Sequence, residues 1–369
     1  MRLLAHLNSL PLLRPRRFLP PGGICLLLRE NDLPKLAEIL APYPQISLKL
    51  LIVLFHQAGR TPVEWPTQNG MVPVLGPEAA LLCPHLEKAV YIGNDPAGME
   101  VVGACRIFGN LGLQNFYILA DAELPYVGAK HDPAFFQANG PVLERVYNLL
   151  EDEASRNVFA ARIKAIITGE AGYMPISGHM EYFHPQVRPE TGDIMLDGGV
   201  SFDVEMQKLF VESVGPGGII FGFEPMGDMF AQARDRLGFA NYHLFRLGVG
   251  ARKEILHFTP LADSSHISQG GPNTIPCEVT DIDSFVQERS LLRVDCLKLD
   301  VEGAELAALL GAEQTIRRYL PKLIVCLYHK NEDLLEIPVL IKKLNPGYKL
   351  YIAHSSYGFT DTVLYARVN

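Results

Sequence analysis

The chain has little that would mark it as secreted, membrane-spanning or nucleic-acid-binding. Its 369 residues include six cysteines, Cys25, Cys83, Cys105, Cys277, Cys296 and Cys326, with no C-x-x-C pair among them. Scattered thiols in apolar surroundings read as small core residues of a cytoplasmic protein, so neither a disulfide frame nor a zinc site is expected. No uninterrupted apolar run is long enough to span a bilayer. Positive charge is scarce as well: the formal net charge is -8. Phosphate neutralisation needs clustered Lys and Arg, so no nucleic-acid partner is expected. The one basic cluster, Arg14, Arg16 and Arg17, follows a leucine-rich start broken by His6, Asn8 and Pro11. That is the wrong order for a signal peptide. Neither half has G-x-G-x-x-G after a strand, which weighs against a nicotinamide cofactor, and no metal-ligand constellation stands out.

A composition of 48% hydrophobic and 20% charged residues is globular, and the length suits two domains. Apolar strand candidates at Ile24–Leu28, Leu50–Phe55, Gly70–Gly76, Ala89–Ile92 and Asn115–Leu119 alternate with helical spacing at Asp32–Leu40, Pro77–Leu86 and Gly98–Phe108. This rhythm predicts a small Rossmann-like domain over residues 1–135. Its first strand leads into Arg29-Glu-Asn-Asp-Leu-Pro34, which has no glycine to admit a pyrophosphate, so this domain is expected to lack a cofactor motif. It offers a docking surface, which leaves a homo-oligomer open. Residues 136–190 read as a connector with one long helix over Pro141–Gly169, whose Glu151-Asp-Glu153 is a solvated face. A segment with Tyr182, Phe183, His179 and His184 follows, placed to act as a flap.

The remaining residues, 191–369, carry the chemistry. Ile194-Met-Leu-Asp197-Gly198-Gly199-Val-Ser201 reads as a strand breaking into a glycine turn, and a helix follows with Asp203 as its N-cap. A second strand runs into Glu224-Pro225, and an acid at the carboxyl end of a parallel strand is placed to take ribose hydroxyls. The polar loop Ala262–Thr274, with Ser264 and Ser265, is too long and too rich in donors for a mere turn, and makes a candidate ligand loop. Asp295-Cys-Leu-Lys-Leu-Asp300-Val-Glu302-Gly-Ala-Glu305 is a buried strand ending in acids, ahead of one predicted helix over Ala304–Tyr319. The next strands end at Tyr328-His329-Lys330 and at His354.

Lys298-Leu-Asp-Val-Glu-Gly-Ala-Glu305, together with Leu196-Asp-Gly-Gly-Val200, Phe223-Glu-Pro225 and Asp361-Thr-Val-Leu-Tyr-Ala366, resembles the FkbM-type methyltransferases over residues ~141–369. The resemblance implies a class I methyltransferase fold, a Rossmann-like doubly wound α/β sheet of seven strands, preceded here by the smaller Rossmann-like domain. It implies S-adenosylmethionine as cofactor and transfer to a hydroxyl oxygen of a sugar or a polyketide-type product. By that resemblance Asp197, Gly198, Gly199, Ser201, Glu224, Pro225, Val249, Gly250 and Asp300 would hold the cofactor. Asp300, His329 and His354 would be catalytic, either histidine serving as base since an imidazole titrates near neutral pH. Tyr182, Ser264, Ser265, Glu302, Tyr328 and Lys330 would meet a small-molecule or saccharide acceptor. The family has a small residue, often glycine, where this chain has Asp203. That departure sets up a second reading, a catalytically silent relative that binds a sugar nucleotide or a partner protein.

Overall fold

The computed structural model describes residues 2–9, 22–29, 33–34, 36–41, 46–54, 64–67, 70–75, 89–92, 116–119, 131–168, 177, 179–201, 204–260, 265–268, 274–355 and 361–368. Six strands of the first half, β1 (Gly22–Arg29), β2 (Ile46–Leu54), β3 (Glu64–Thr67), β4 (Gly70–Leu75), β5 (Ala89–Ile92) and β6 (Phe116–Leu119), form one sheet in the order β3-β4-β2-β1-β5-β6. All pairs are parallel except β3-β4, an antiparallel hairpin at the edge that the sequence pattern does not announce. The helices expected at Pro77–Leu86 and Gly98–Phe108 lie outside the described residues.

Eleven strands follow: β7 (Ile194–Gly198), β8 (Ile219–Phe223), β9 (Tyr242–Phe245), β10 (Gly248–Val249), β11 (Glu254–Pro260), β12 (Ser265–Ser268), β13 (Ile275–Thr280), β14 (Cys296–Leu299), β15 (Lys322–Cys326), β16 (Lys349–His354) and β17 (Thr362–Arg367). Seven of them make a sheet in the order β16-β17-β15-β14-β7-β8-β9, parallel except around β17, which runs antiparallel to both neighbours. Such strands are covered on both faces and read as continuous apolar runs. Alternate side chains feed two cores: Leu196, Leu297, Leu299 and Val325 one, Met195, Cys296, Ile324 and Cys326 the other. Strands β10 to β13 form a second, smaller sheet, so the loop expected over Ala262–Thr274 contains strand β12, paired with β11.

Two long helical predictions are each broken in two. The helices Gly140–Leu149 and Glu153–Thr168 are separated where Leu150 bridges to Leu350. Asp152 accepts the Ser155 N–H at 2.8 Å, so Glu151–Glu153 is a helix junction and not one solvated face. Ser155 is buried and its hydroxyl accepts the Ile352 N–H at 3.0 Å, which ties this helix to β16. Likewise Glu305–Leu310 and Glu313–Tyr319 are distinct helices. Between them Gly311 passes so close to the Gly250 carbonyl that a Cβ would lie 2.2 Å from its oxygen.

Candidate functional site

The carboxyl ends of β7, β8 and β14 are adjacent, and the chain leaving them encloses a cavity of about 370 Å³. Its lining includes Gly199, Ser201, Glu224, Pro225, Val249, Asp300 and Glu302, all named from sequence, and Tyr182 from the segment before β7. Gly199 is the hinge of the site. Its φ is +85°, and a Cβ there would lie 1.7 Å from the Asp300 carbonyl oxygen, so only glycine lets the β7 turn approach the β14 end.

Asp197 is spent inside this turn. It is wholly buried, accepts the Tyr242 hydroxyl at 2.7 Å and the Gln207 amide at 3.3 Å, and stands 3.1 Å from the Lys298 ammonium. Lys298 also donates to the carbonyls of Gly198 and Gly199, reaching the first at 3.1 Å. Burial works against its charge, but Asp197 and Asp300 hold its pKa up at about 12. The expected contact between Asp197 and a ligand is thus replaced by an internal ion pair that pins the glycine turn to β14. Gln207, from the first turn of the helix Glu205–Val214, lines the cavity and is almost wholly buried, with its Oε1 lacking a hydrogen-bond partner. An orphaned acceptor at such a place suits a donor on a bound molecule.

At one end of the cavity, Glu224 follows β8 and accepts the Met226 N–H at 2.7 Å. Burial raises its pKa to about 7, which that N–H and Lys298 only partly oppose. Phe258, Val279 and Met226 belong to one apolar cluster beside it, contributed largely by the smaller sheet. At the other end, Asp300 accepts the Tyr182 hydroxyl at 2.9 Å on one oxygen and the Tyr328 hydroxyl at 2.9 Å on the other. Burial alone would raise its pKa. Lys298, His329 and the two tyrosines overcome this and hold the carboxyl below its usual range.

The two histidines expected to act as bases do not line the cavity. His329 sits behind Asp300, 3.7 Å from it, 3.4 Å from Glu302 and 2.9 Å from Glu305. Burial opposes its charge, yet these three acids raise its pKa to about 9, so at neutral pH it is already an imidazolium. Glu305 opens the helix Glu305–Leu310, is fully buried and accepts the Val301 N–H at 2.8 Å. Asp300, Glu305 and His329 do stand close enough to share a metal ion, a grouping the sequence pattern did not reveal. His329 Nδ1 stands 2.9 Å from Glu305 and forms an ion pair with it when the imidazole is protonated. His354 is fully buried and bonds Thr362 at 2.8 Å. Its strand follows β15 in sequence, but β17 lies between them in the sheet, so His354 is two strands removed from His329.

Of the remaining expected residues, Gly198 lies beneath the turn, and Gly250 packs against Gly311 while its N–H bonds Thr280. Tyr328 supports Asp300 from behind, and Lys330 lies against Gly303. Ser264, the side chain of Ser265, Phe202 and Asp203 lie outside the described residues. The N-cap position of the following helix is Val204, at φ 55°, and not Asp203. Sequence reasoning missed Glu181, Gln207, Lys298, Leu256 and Phe258 as cavity residues. Period-two spacing of Leu256 and Phe258 was the available signal for those two. Lys298 lay inside a quoted run, but its partners are 99 to 101 positions upstream, beyond the reach of local pattern.

A family description, methyltransferase FkbM domain, matches residues 197–350. No curated protein matches the chain by sequence. The fold is shared with methyltransferase FkbM from Methylobacillus flagellatus KT, at a TM-score of 0.56 and 18% identity over 99% of this chain and 98% of that one. Aeropyrum pernix fibrillarin, solved with natively bound S-adenosyl-L-methionine, overlaps 48% of this chain and 67% of its own at a TM-score of 0.32 and 16% identity.

Proposed function

We propose that this chain, whose residues 197–350 match the methyltransferase FkbM domain, methylates a hydroxyl oxygen of a saccharide or glycosylated small molecule with S-adenosylmethionine. The observation that carries this reading is the joining, in one cavity, of a glycine turn, the Glu224 carboxylate and the Asp300 carboxylate. The residues fit the cofactor. Gly199 brings the turn against the Asp300 backbone as only a residue without a Cβ can, and among the described residues Gln207 Oε1 is an acceptor without a partner and Glu224 forms no ion pair. Glu224 would take the ribose hydroxyls, Gln207 and the Gly199 turn the amino-acid portion, and Val249, Leu256 and Phe258 the base. When bound, the cofactor supplies a methyl group on a sulfonium.

Asp300 receives the acceptor. Each of its oxygens already holds one tyrosine hydroxyl and keeps a lone pair for a further donor. The acceptor hydroxyl is thereby held in one orientation, which is the larger part of what a two-reactant transfer needs. A hydroxyl oxygen becomes strongly acidic as it gains a methyl group, so even a carboxylate of depressed pKa can take its proton. Tyr182 and Tyr328 fix the carboxylate, and His329 keeps it ionised. Calorimetry with S-adenosylhomocysteine, followed by transfer of a labelled methyl group from S-adenosylmethionine to saccharide acceptors, tests the reading. Binding that weakens in Glu224→Gln and transfer that fails in Asp300→Asn support it. Absence of binding by the wild type, or binding without transfer to any hydroxyl acceptor, overturns it.

A further inference from the structure

We propose that Asp300, Glu305 and His329 form a binding site for one divalent metal ion of the manganese(II) type, set in the wall at the acceptor end of the cavity. The chain brings them together from three places. Asp300 follows β14, Glu305 opens the helix Glu305–Leu310, and His329 follows β15, the strand paired with β14. Each residue offers one ligand atom, and these atoms lie within 4.8 Å of one another. Ligands held about 2.1 Å from one ion stand up to about 4.2 Å apart, so side-chain shifts of about half an ångström close the set.

Proximity alone fits a salt-bridged cluster equally well; two buried atoms favour an ion. Glu305 is fully buried, and while its Oε1 accepts the Val301 N–H, its Oε2 has no hydrogen-bond partner among the described residues. The His329 side chain is only 4% exposed, and its Nδ1, although 2.9 Å from Glu305 Oε1, makes no hydrogen bond either. A carboxylate oxygen withdrawn from water and left without a donor is costly, and a cation is one of the few partners that satisfy it. Two carboxylates and an imidazole, with no sulfur among them, suit manganese(II) or iron(II). The ion replaces the proton of the ring, so His329 is an imidazolium without metal and a neutral ligand with it. Asp300 Oδ1 is the oxygen nearer the ring, at 3.7 Å, whereas Oδ2 holds the Tyr182 hydroxyl. An ion on Oδ1 therefore leaves Oδ2 to the acceptor. That division of labour rests on the methyl-transfer reading above; the binding of the ion does not.

The test titrates Mn²⁺ into the full chain after chelation and dialysis, at about pH 8, where the ring gives up its proton more easily. Calorimetry should show one ion per chain with a Kd below about 100 μM. Glu305→Gln and His329→Gln should each weaken binding by about tenfold or more. Glu190→Gln, which alters an exposed acid paired with Lys322 at the start of β15, should leave it unchanged. Circular dichroism checks that each variant folds. Electron spin-echo spectroscopy of the wild type needs no variant: bound Mn²⁺ should show coupling to one directly bound imidazole nitrogen. No binding below about 1 mM, binding unchanged in both variants, or bound Mn²⁺ without nitrogen coupling, which is an adventitious ion only, overturns the proposal. Binding of S-adenosylhomocysteine is measured separately. Its failure strikes the methyl-transfer reading and leaves the ion site standing, whereas failure of Mn²⁺ alone strikes only the ion site.

Discussion

The two ends of the cavity hold carboxylates in opposite states, and the contrast shows how one fold assigns two tasks to one functional group. Glu224 has a backbone N–H as its hydrogen-bond partner, and burial pushes its pKa to about 7. Asp300, somewhat more open to solvent, has two tyrosine hydroxyls, a buried ammonium and an imidazolium around it, and its pKa is lowered. The first end is costly until a ligand supplies donors. The second is prepaid in charge and ready for an incoming hydroxyl. Between them Gly199 lets the two strand ends meet.

Removing the hinge should break the comparison outright. Gly199→Ala forces a Cβ into the Asp300 carbonyl, and should cost more than about 3 kcal/mol in denaturant unfolding or abolish calorimetric binding of S-adenosylhomocysteine. Unaltered binding would mean that the turn relaxes and that the two ends are not geometrically coupled. Next in size is Asp300→Asn, which should lower turnover by about 100-fold or more while leaving cofactor-product affinity within a few fold. Equal loss of both would merge the two ends into one functional unit.

Glu224→Gln sharpens the contrast from the other side. Loss of a charged acceptor should weaken S-adenosylhomocysteine binding by about tenfold to a hundredfold. It should also stabilise the ligand-free protein. The folded pKa near 7 lies above the ordinary 4.5, so ionisation between those values costs stability as pH rises. The advantage of the glutamine variant should therefore be small at pH 4 and grow to at most about 3 kcal/mol at pH 8. A constant advantage across that range would remove burial of charge as the cause.

The smallest effect on turnover is expected at His329, whose folded pKa near 9 lies above the ordinary 6.5. Its stabilising contribution is present below about pH 6.5 and lost as pH rises through about 9. His329→Gln should destabilise the protein at pH 6, lose that penalty above pH 9, and reduce turnover only several fold. A drop as deep as that of Asp300→Asn, with a pH profile inflecting near 6.5, would restore His329 as a base.

How much of this could be read beforehand differs between the ends. The β7 turn, the Glu224-Pro225 strand end and Asp300 were legible because each is a strand running into glycine or acid, a local signal. The order of the motifs along the chain also made the methyltransferase fold legible. Lys298 was not, because an ammonium bound to carbonyls 99 and 100 positions away leaves no periodic trace. His329 and His354 looked equivalent in sequence, each closing a strand, and topology alone separates them. The helix breaks at Leu150 and Gly311 were likewise decided by distant partners, Leu350 and the Gly250 carbonyl.

The place of β17 has a consequence for how the protein is made. It is the last strand of its sheet to emerge during synthesis, yet it enters between β15 and β16, which are both complete before it. Until residues 362–367 arrive, those two strands face each other with open hydrogen-bonding edges. Such edges recruit other chains. A chain ending before Thr362 would carry nearly every residue lining the candidate cavity and still present β15 and β16 with no strand between them.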